Sequence, residues 1–572
     1  MRRITLRAVA LALTLGLLAA ACGDDGGGDD GSSGDTSGAT GSTTTIDTAT
    51  PVSGGSITMS MYSETRALDP ADSSGSGTAG GTELAALYDT ILRWNPGTGK
   101  FENRTAESLV SNADFTEWTL KLKSGIKFRD GTAYDAEAAK LSIERHKAST
   151  INASRAHLGP VKTITVVDPL TVKFTLSQSW AGFPYVLADE PGMLVSPAAL
   201  KALGDPSDPA YKDKKAAFNL NPVGAGAGPF EIVSFKPKES IVMKKNPSYW
   251  GGTVYLDELR FITGGGTAAV WETVKSGTID AAFLRFPLPI AAAKEAKYPG
   301  YSAIVQTGEM LLTNNGAEIT CQGGAPASVC AGQADGAKVA AKTATSNVKV
   351  RQAVAAAIDQ KALDQRVNQG KGIPGSALVQ DSFPFYPGVE ATKADPEKAK
   401  KLLAEAKAEG YDGKIRVLCT NSPERQATAQ TVETMLKAVG FDVTVKSDID
   451  VQTQIAAIGQ KDFDLACWGY NLTSDEGGVL ALLQNLASTS GSSNRVGYKS
   501  AAFDTALTEG LAANTVEQKK AAYKKMSDLW NTDVPSISLA AVEERVVWGP
   551  KVHGIQATQA TIVLFDKAFK EK

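Results

Sequence analysis

Three histidines, His146, His157 and His553, are scattered along the chain, two of them expected on or near one surface helix, and none lies at metal-ligand spacing. His-Glu-x-x-His, Cys-x-x-Cys and Gly-x-Ser-x-Gly runs do not occur, so the spacings of zinc, dithiol and serine-nucleophile sites are missing. The acidic pairs Glu543-Glu544 and Asp475-Glu476 read as solvated loops rather than acid/base dyads. The glycine-rich run from Pro222 to Phe230 could cradle phosphate, but a P-loop needs Gly-Lys-Ser/Thr opening a helix, and here a strand follows. What remains is the chemistry of recognition. Trp468, Tyr470, Asn471 and Thr473 lie within six residues, and Asn421 follows another strand. Tyr62-Ser63-Glu64 ends the first strand, and Phe383, Phe385 and Tyr386 share a proline-rich loop. Aromatic walls with a few polar groups suit a largely apolar, preformed ligand site, although each ring could equally pack inside the protein. Binding is the reading, with no catalytic residue, metal or cofactor.

The elements that must position these groups can be read in order. Ser56 to Ser60 alternates as a strand, and a helix is expected over 83–92, ending near Trp94-Asn-Pro-Gly97. Trp118, Leu120 and Leu122 alternate as a strand, with Ile126 and Phe128 as another. Asp130-Gly131 reads as a turn, and Asp135 can cap a helix over 136–147. Two alternating runs flank Asp168-Pro169 as a hairpin. A strand is expected from Phe230 to Lys245, then an Asn-Pro turn carrying Tyr249 and Trp250, another strand and a short helix. Val350, Ala353, Val354, Ala357 and Ile358 share one helical face, and Asp395-Pro396 opens a further helix. Strands at 415–419, 441–445 and 463–468 alternate with helices, the pattern of a mostly parallel α/β sheet that binds ligands beyond its strand C-termini. Asn421 and Trp468 to Thr473 sit at such ends. After a helical stretch through Trp530, strands are expected at 537–541 and 545–548.

At 572 residues the chain implies more than one domain, and 42% hydrophobic with 21% charged residues describes an ordinary globular body. Arg2, Arg3 and Arg7 precede an apolar run to Ala20, so residues 1–21 read as a signal peptide. Cys22 then sits where a lipidated cysteine would, although simple cleavage and free secretion fit the same residues. Residues 22–50 are Gly, Ser, Thr and Asp, an acidic tether reaching roughly 30 Å as a flexible coil. Without these segments the body carries 56 basic and 56 acidic residues, which argues against a nucleic-acid partner. Cys321 and Cys330 bracket a small-residue loop and are expected to form a disulfide in an oxidising compartment. Cys419 and Cys467, at two strand ends, could pair or remain buried thiols.

Four separated stretches resemble one family. They are Leu120-Lys-Leu-Lys-Ser-Gly-Ile-Lys-Phe-Arg-Asp-Gly-Thr132, the Pro222 to Asp280 stretch with Asn246-Pro-Ser-Tyr-Trp250, Val350-Arg-Gln-Ala353, and Asp395-Pro-Glu-Lys-Ala-Lys-Lys-Leu-Leu403. Together they resemble the extracytoplasmic solute-binding proteins of family 5, which serve oligopeptide and dipeptide ABC importers. The resemblance implies an α/β, two-lobed periplasmic-binding-protein-like fold of type II, with an extra small subdomain in the first lobe and two hinge segments. Lobe I would hold 51–310 plus 541–572, its small subdomain spanning about 83–190, and lobe II would hold 311–540. The crossings would fall near 308–315 and 538–544, the Leu120–Thr132 run would form a hairpin, and 315–346 looks like an insertion. Arg351 reads as a structural anchor for neighbouring carbonyls or carboxylates. The implied function is solute capture, oligopeptide first, for a membrane permease and its ATPase, by a monomer held outside the cell membrane through Cys22. Non-peptide solutes such as glycosides or metal chelates, or a surface peptide receptor or chaperone without import, are the alternatives. Where peptide-binding relatives place an amine-gripping aspartate, this chain has Thr473, with Asp475 and Glu476 nearby.

Overall fold

A computed structural model describes residues 49–572 except 74–75, 150–157, 323–324, 376, 471, 473–475 and 492. The signal, most of the tether, Cys22, His157, Asn471, Thr473 and Asp475 lie outside the described residues.

Ten strands form the largest sheet. Along the chain they are β1 (Ser56–Met61), β2 (Phe230–Lys236), β3 (Ser240–Lys245), β4 (Glu258–Thr263), β5 (Ala281–Leu284), β6 (Gly300–Thr313), β7 (Lys414–Thr420), β8 (Asp442–Ile449), β9 (Leu465–Trp468) and β10 (Ser536–Trp548). Their spatial order is β8-β7-β9-β6-β10-β5-β1-β4-β3-β2. β1 runs parallel to β4 and β5, and β7 parallel to β8 and β9. Between these two groups lie the long antiparallel partners β6 and β10. A second sheet of four antiparallel strands, Ala106–Ser111, Glu117–Leu122, Thr171–Leu176 and Val161–Asp168, packs with the helix Ala136–Ala148.

Local chemistry explains many boundaries. Asp135, Asp395, Ser422 and Asp450 each cap a helix with a side-chain oxygen, and prolines open the helices at 396 and 423. Period-two patterning sends Met310, Leu312 and Ala466 to one face of the large sheet, against Phe503, Tyr523 and Trp530. Leu311 and Cys467 go to the other face, against Val350, Leu403 and Leu436. Each Leu, Val, Met or Phe among them contributes roughly 1.5–3 kcal/mol by leaving water.

Several expectations differ from the structure. The helix expected over 83–92 is Gly81–Tyr88, because Asp89 turns to φ 63°, and Leu92–Asn95 pairs instead as a strand with Lys100–Asn103. Phe230 to Lys245 is a hairpin, not one strand; Pro237 cannot donate to a ladder, and Lys238 takes φ 66° at the turn. Ile126 and Phe128 flank a single antiparallel bridge, Lys127 with Ala133, rather than forming a full strand, so the hairpin of the Leu120–Thr132 run is confined to the Asp130-Gly131 turn, and Glu117–Leu122 pairs instead with 106–111 and 171–176. The two short strands expected after 536 are one strand, β10. Glu543 and Glu544 are therefore not loop residues: Glu543 pairs with Lys294, and Glu544 is buried against Arg285. His146 lies in the interior rather than on a helix surface, and burial pulls its imidazole down to about 3.

Candidate functional site

The strand registers define a centre. β5 runs from Ala281 opposite Trp548 to Leu284 opposite Arg545, so its C-terminal end points to the middle of β10. β9 runs from Leu465 opposite Thr313 to Trp468 opposite Met310, so its C-terminal end points to the middle of β6. β1 and β7 lie in register beside β5 and β9, which brings Tyr62 and Asn421 toward the same level. The C-terminal ends of both parallel groups thus converge on the middle of β6 and β10, where the ladder is irregular between Val305 and Met310.

The backbone there is unusual. Thr307 adopts φ 50°, sterically costly for a β-branched residue. Its carbonyl accepts from the Tyr470 amide at 3.2 Å, and the Gln306 amide donates to the Leu472 carbonyl at 2.6 Å. A Cβ on Gly469 would stand 2.1 Å from the Gly308 carbonyl oxygen, so the glycine of Trp468-Gly469-Tyr470 is required by this close crossing. The Gln306 side chain in turn accepts from the Gln380 amide at 2.6 Å, tying the loop of Phe383 and Phe385 to the same centre.

The candidate recognition residues divide. Trp468 is half-buried at the end of β9, with the Arg495 guanidinium 6.0 Å from its ring centre. Tyr62 is half-buried at the end of β1, its ring 5.3 Å from the Arg285 guanidinium and 6.2 Å from Phe283. Asn421 is exposed beyond β7, and its backbone amide donates to the Ile449 carbonyl at 2.9 Å. Ser63 donates to the Thr78 carbonyl at 2.9 Å, and exposed Glu64 accepts from the Lys238 amide at 2.7 Å, so both hold the loop after β1. Tyr470 is packed edge-on against Trp530 and is only 7% exposed; burial pushes its phenol up to about 12. Phe385 is equally buried, among Phe383 and Tyr523, and the Lys519 amine lies 4.9 Å over its ring. Tyr470 and Phe385 are packing residues behind the site in this conformation. Sequence reasoning missed the charged pairs around the centre. Arg285 binds Glu544, whose other oxygen accepts from Thr561 at 2.9 Å, and Arg425 binds Glu309. The only sequence signal for them was Glu544 within an acidic pair.

Glu83 supports the loop that carries Tyr62. The Thr65 hydroxyl donates to its carboxylate at 2.7 Å, and burial pushes the carboxyl from 4.5 up to about 7. Since the native pKa stands above the unfolded one, this group's contribution to stability is full below about pH 4.5 and is lost as pH rises through about 7. Glu83→Gln is expected to remove that loss. Denaturation midpoints of wild type and variant that stay in constant ratio from pH 5 to pH 8 would contradict it.

The strongest sequence motifs are structural. In the glycine-rich loop the Gly228 amide donates to the Leu87 carbonyl at 2.9 Å, and a Cβ on Gly226 would meet that same oxygen at 2.0 Å. The loop packs on the carbonyl end of a helix, the wrong pole for phosphate. Tyr249 donates to Asp89 at 2.6 Å within a buried charge cluster. Arg351 donates to the carbonyls of Thr345, Asp533 and Val534, anchoring its helix beside the entry to β10. Cys321 is bonded to Cys330 in the 315–346 segment, and Cys419 to Cys467 across neighbouring β7 and β9. Among the described residues no group of three or more His, Cys, Asp or Glu is placed to hold a metal, and no helix is long and apolar enough to cross a membrane.

The glutathione-binding protein GsiB of Salmonella paratyphi A is 26% identical over 469 residues, covering 78% of this chain and 81% of the relative. DppA from Helicobacter pylori, solved in complex with the peptide STSA, superposes with a TM-score of 0.73 at 20% identity, covering 91% of this chain and 99% of that one. AppA from Bacillus subtilis, in complex with a nonapeptide, gives 0.72 at 18% identity, covering 91% of this chain and all of that one. NikZ from Campylobacter jejuni, in complex with Ni(L-His), gives 0.67 at 17%, covering 90% and 99%. The fold is the two-lobed periplasmic-binding-protein architecture of type II. The family model for bacterial extracellular solute-binding proteins, family 5 Middle, matches residues 100–493, more than half of the chain. With both sets of strand ends aimed at one centre, and with that match, the chain belongs to the bacterial extracellular solute-binding proteins of family 5.

Proposed function

We propose that the protein is the solute-capturing component of an ABC importer, that its solute is an oligopeptide, and that it performs no catalysis. The observation that carries this reading is the convergence of strand C-termini on the middle of β6 and β10, with Trp468 and Tyr62 half-buried on either side. The relatives named for glutathione and the neighbours solved with peptides support the solute class. Lobe I comprises 51–310 and 541–572, with the four-stranded sheet inside its small subdomain, and lobe II comprises 311–540. Each lobe contributes parallel strands to the site, and β6 and β10 pass the chain between them, so a hinge at their centre closes the lobes on the solute. The body acts as a monomer held to the outer face of the membrane by a lipid on Cys22, and hands the solute to a permease with its ATPase.

The test is to denature the mature protein isolated from its host and to identify released small molecules by mass spectrometry. Short peptides are expected. A single non-peptide species would overturn the solute class and leave the capture role. Trp468→Ala is expected to weaken solute binding at least about tenfold, the scale of a buried aromatic contact, while unfolding remains cooperative. Unchanged affinity by calorimetry would reduce Trp468 to packing.

A further inference from the structure

We propose that the cavity lined by Glu83 and Thr65 is a binding site for one monovalent inorganic cation, sodium or potassium, held by the Glu83 carboxylate and the Thr65 hydroxyl. The proposal does not depend on the identity of the solute.

Four other buried carboxylates face arginines. Asp69 pairs with Arg145, Asp89 and Asp566 with Arg104, and Glu544 with Arg285. Glu83 is only 1% exposed and has no cationic partner among the described residues. One of its oxygens accepts from the Thr65 hydroxyl at 2.7 Å, and the other, shut off from bulk water, has no hydrogen-bond partner among them. Both residues line a cavity of about 20 Å³ beside the C-terminal ends of β1 and β4, room for one water-sized group. Met61, Ile241 and Phe261 give it apolar walls. The charged groups facing it from the outside are all exposed and balance in sign: Glu64 and Glu239 against Lys236 and Lys238. Glu64 accepts from the Lys238 amide at 2.7 Å, which fixes the β2–β3 turn as part of the wall.

A carboxylate in such a place must hold a proton or face a cation. Burial is the chief cause that raises the Glu83 carboxyl to about 7, and Thr65 and its own backbone amide pull the other way. Above that pH the charge is present and no protein cation answers it. A cation of water's size fits the space. Carboxylate and hydroxyl oxygens are hard donors, suited to sodium or potassium, and the Thr65 oxygen keeps lone pairs while its proton goes to Glu83. One deep carboxylate matches one positive charge. A divalent metal would call for more acids, and no group of three or more His, Cys, Asp or Glu is placed to hold one among the described residues. Proton and cation compete for the same oxygen, so cation binding strengthens as pH rises through about 7. Thr65 lies three residues after Tyr62, so a cation held there braces the loop that follows β1.

The test is a melting experiment on the mature full-length protein. It is dialysed into tetramethylammonium chloride, whose cation is too large for the cavity, and the salt is then replaced by sodium or potassium chloride at equal ionic strength. At pH 8 one of the two ions is expected to raise the melting temperature by about 1–3 °C, as a ligand bound to the native state alone does, and the larger rise identifies the ion. At pH 5, where the proton wins, the three salts are expected to give the same value. Glu83→Gln is expected to remove the response at pH 8, and Thr65→Ser, which keeps the hydroxyl, to retain it. If Glu83→Gln does not fold, the contrast between pH 5 and pH 8 in the wild type decides. Equal melting temperatures in all three salts at pH 8 overturn the proposal and leave the cavity to water. A response of the same size at both pH values, or one that survives Glu83→Gln, is a general salt effect and overturns it too. Stabilisation by calcium without any by sodium or potassium does the same.

Discussion

Arg104→Met is expected to cost about 3–5 kcal/mol of folding free energy, the range for removing one partner of a buried ion pair. The Arg104 guanidinium is 2.5 Å from Asp89 and 3.5 Å from Asp566, and it donates to the Tyr249 hydroxyl at 3.0 Å. Tyr249 closes the cluster by donating to the second oxygen of Asp89 at 2.6 Å. Both acids are almost inaccessible to water, so methionine would leave two buried carboxylates without a cation. Arg104 thus joins its own segment to three distant ones: the end of the Gly81–Tyr88 helix, the Asn246-Pro-Ser-Tyr-Trp250 turn and the C-terminal tail. Asp89→Asn added to Arg104→Met should recover part of the loss by removing one stranded charge. Equilibrium denaturation measures both, and a loss below about 1 kcal/mol, the level of an exposed pair, would show that water reaches the cluster.

Arg285→Met is expected to have a similar effect, with a pH dependence of definite sign. Glu544 lies on β10, and its carboxyl is raised chiefly by burial, against the lowering influence of Arg285 and Thr561. Without Arg285 the native pKa rises further. A carboxyl whose native pKa exceeds its unfolded value contributes stability at low pH and loses it as pH rises through the native value. The deficit of Arg285→Met should therefore be about 3–5 kcal/mol at pH 8 and smaller at pH 6. The double variant Arg285→Met, Glu544→Met should lie near wild type, since a well-packed apolar pair can replace a buried ionic one. A deficit independent of pH would mean that Glu544 finds another partner. The same substitution removes the cation from beneath Tyr62, so solute affinity measured alongside reports whether that ring faces the solute.

What the chain spells locally, its order of residues determined. Asp135, Asp395 and Ser422 cap the helices expected of them, because a cap needs only a side-chain oxygen within three residues of an unpaired amide. The alternation of strands and helices from Lys414 to Trp468 implied a parallel sheet with ligand groups at its C-terminal ends, and β7, β8 and β9 form that sheet. Arg351, read as an anchor, has carbonyls on every nitrogen.

What depends on partners far along the chain was decided by the tertiary structure. Glu543-Glu544 looks like a break between two strands, and β10 continues through it because Lys294 and Arg285 arrive from elsewhere to neutralise both acids. His146 looks solvated and is buried, since neighbouring elements close over its helix and leave the imidazole neutral. Tyr470 and Trp468 are two residues apart and of like chemistry, yet one packs against Trp530 and the other stays half open beside Arg495. Side-chain type and spacing do not encode that difference. It is set by the register of β6 on β9 and β10, contacts between residues more than a hundred positions apart, whose energies exist only once the chain has closed on itself.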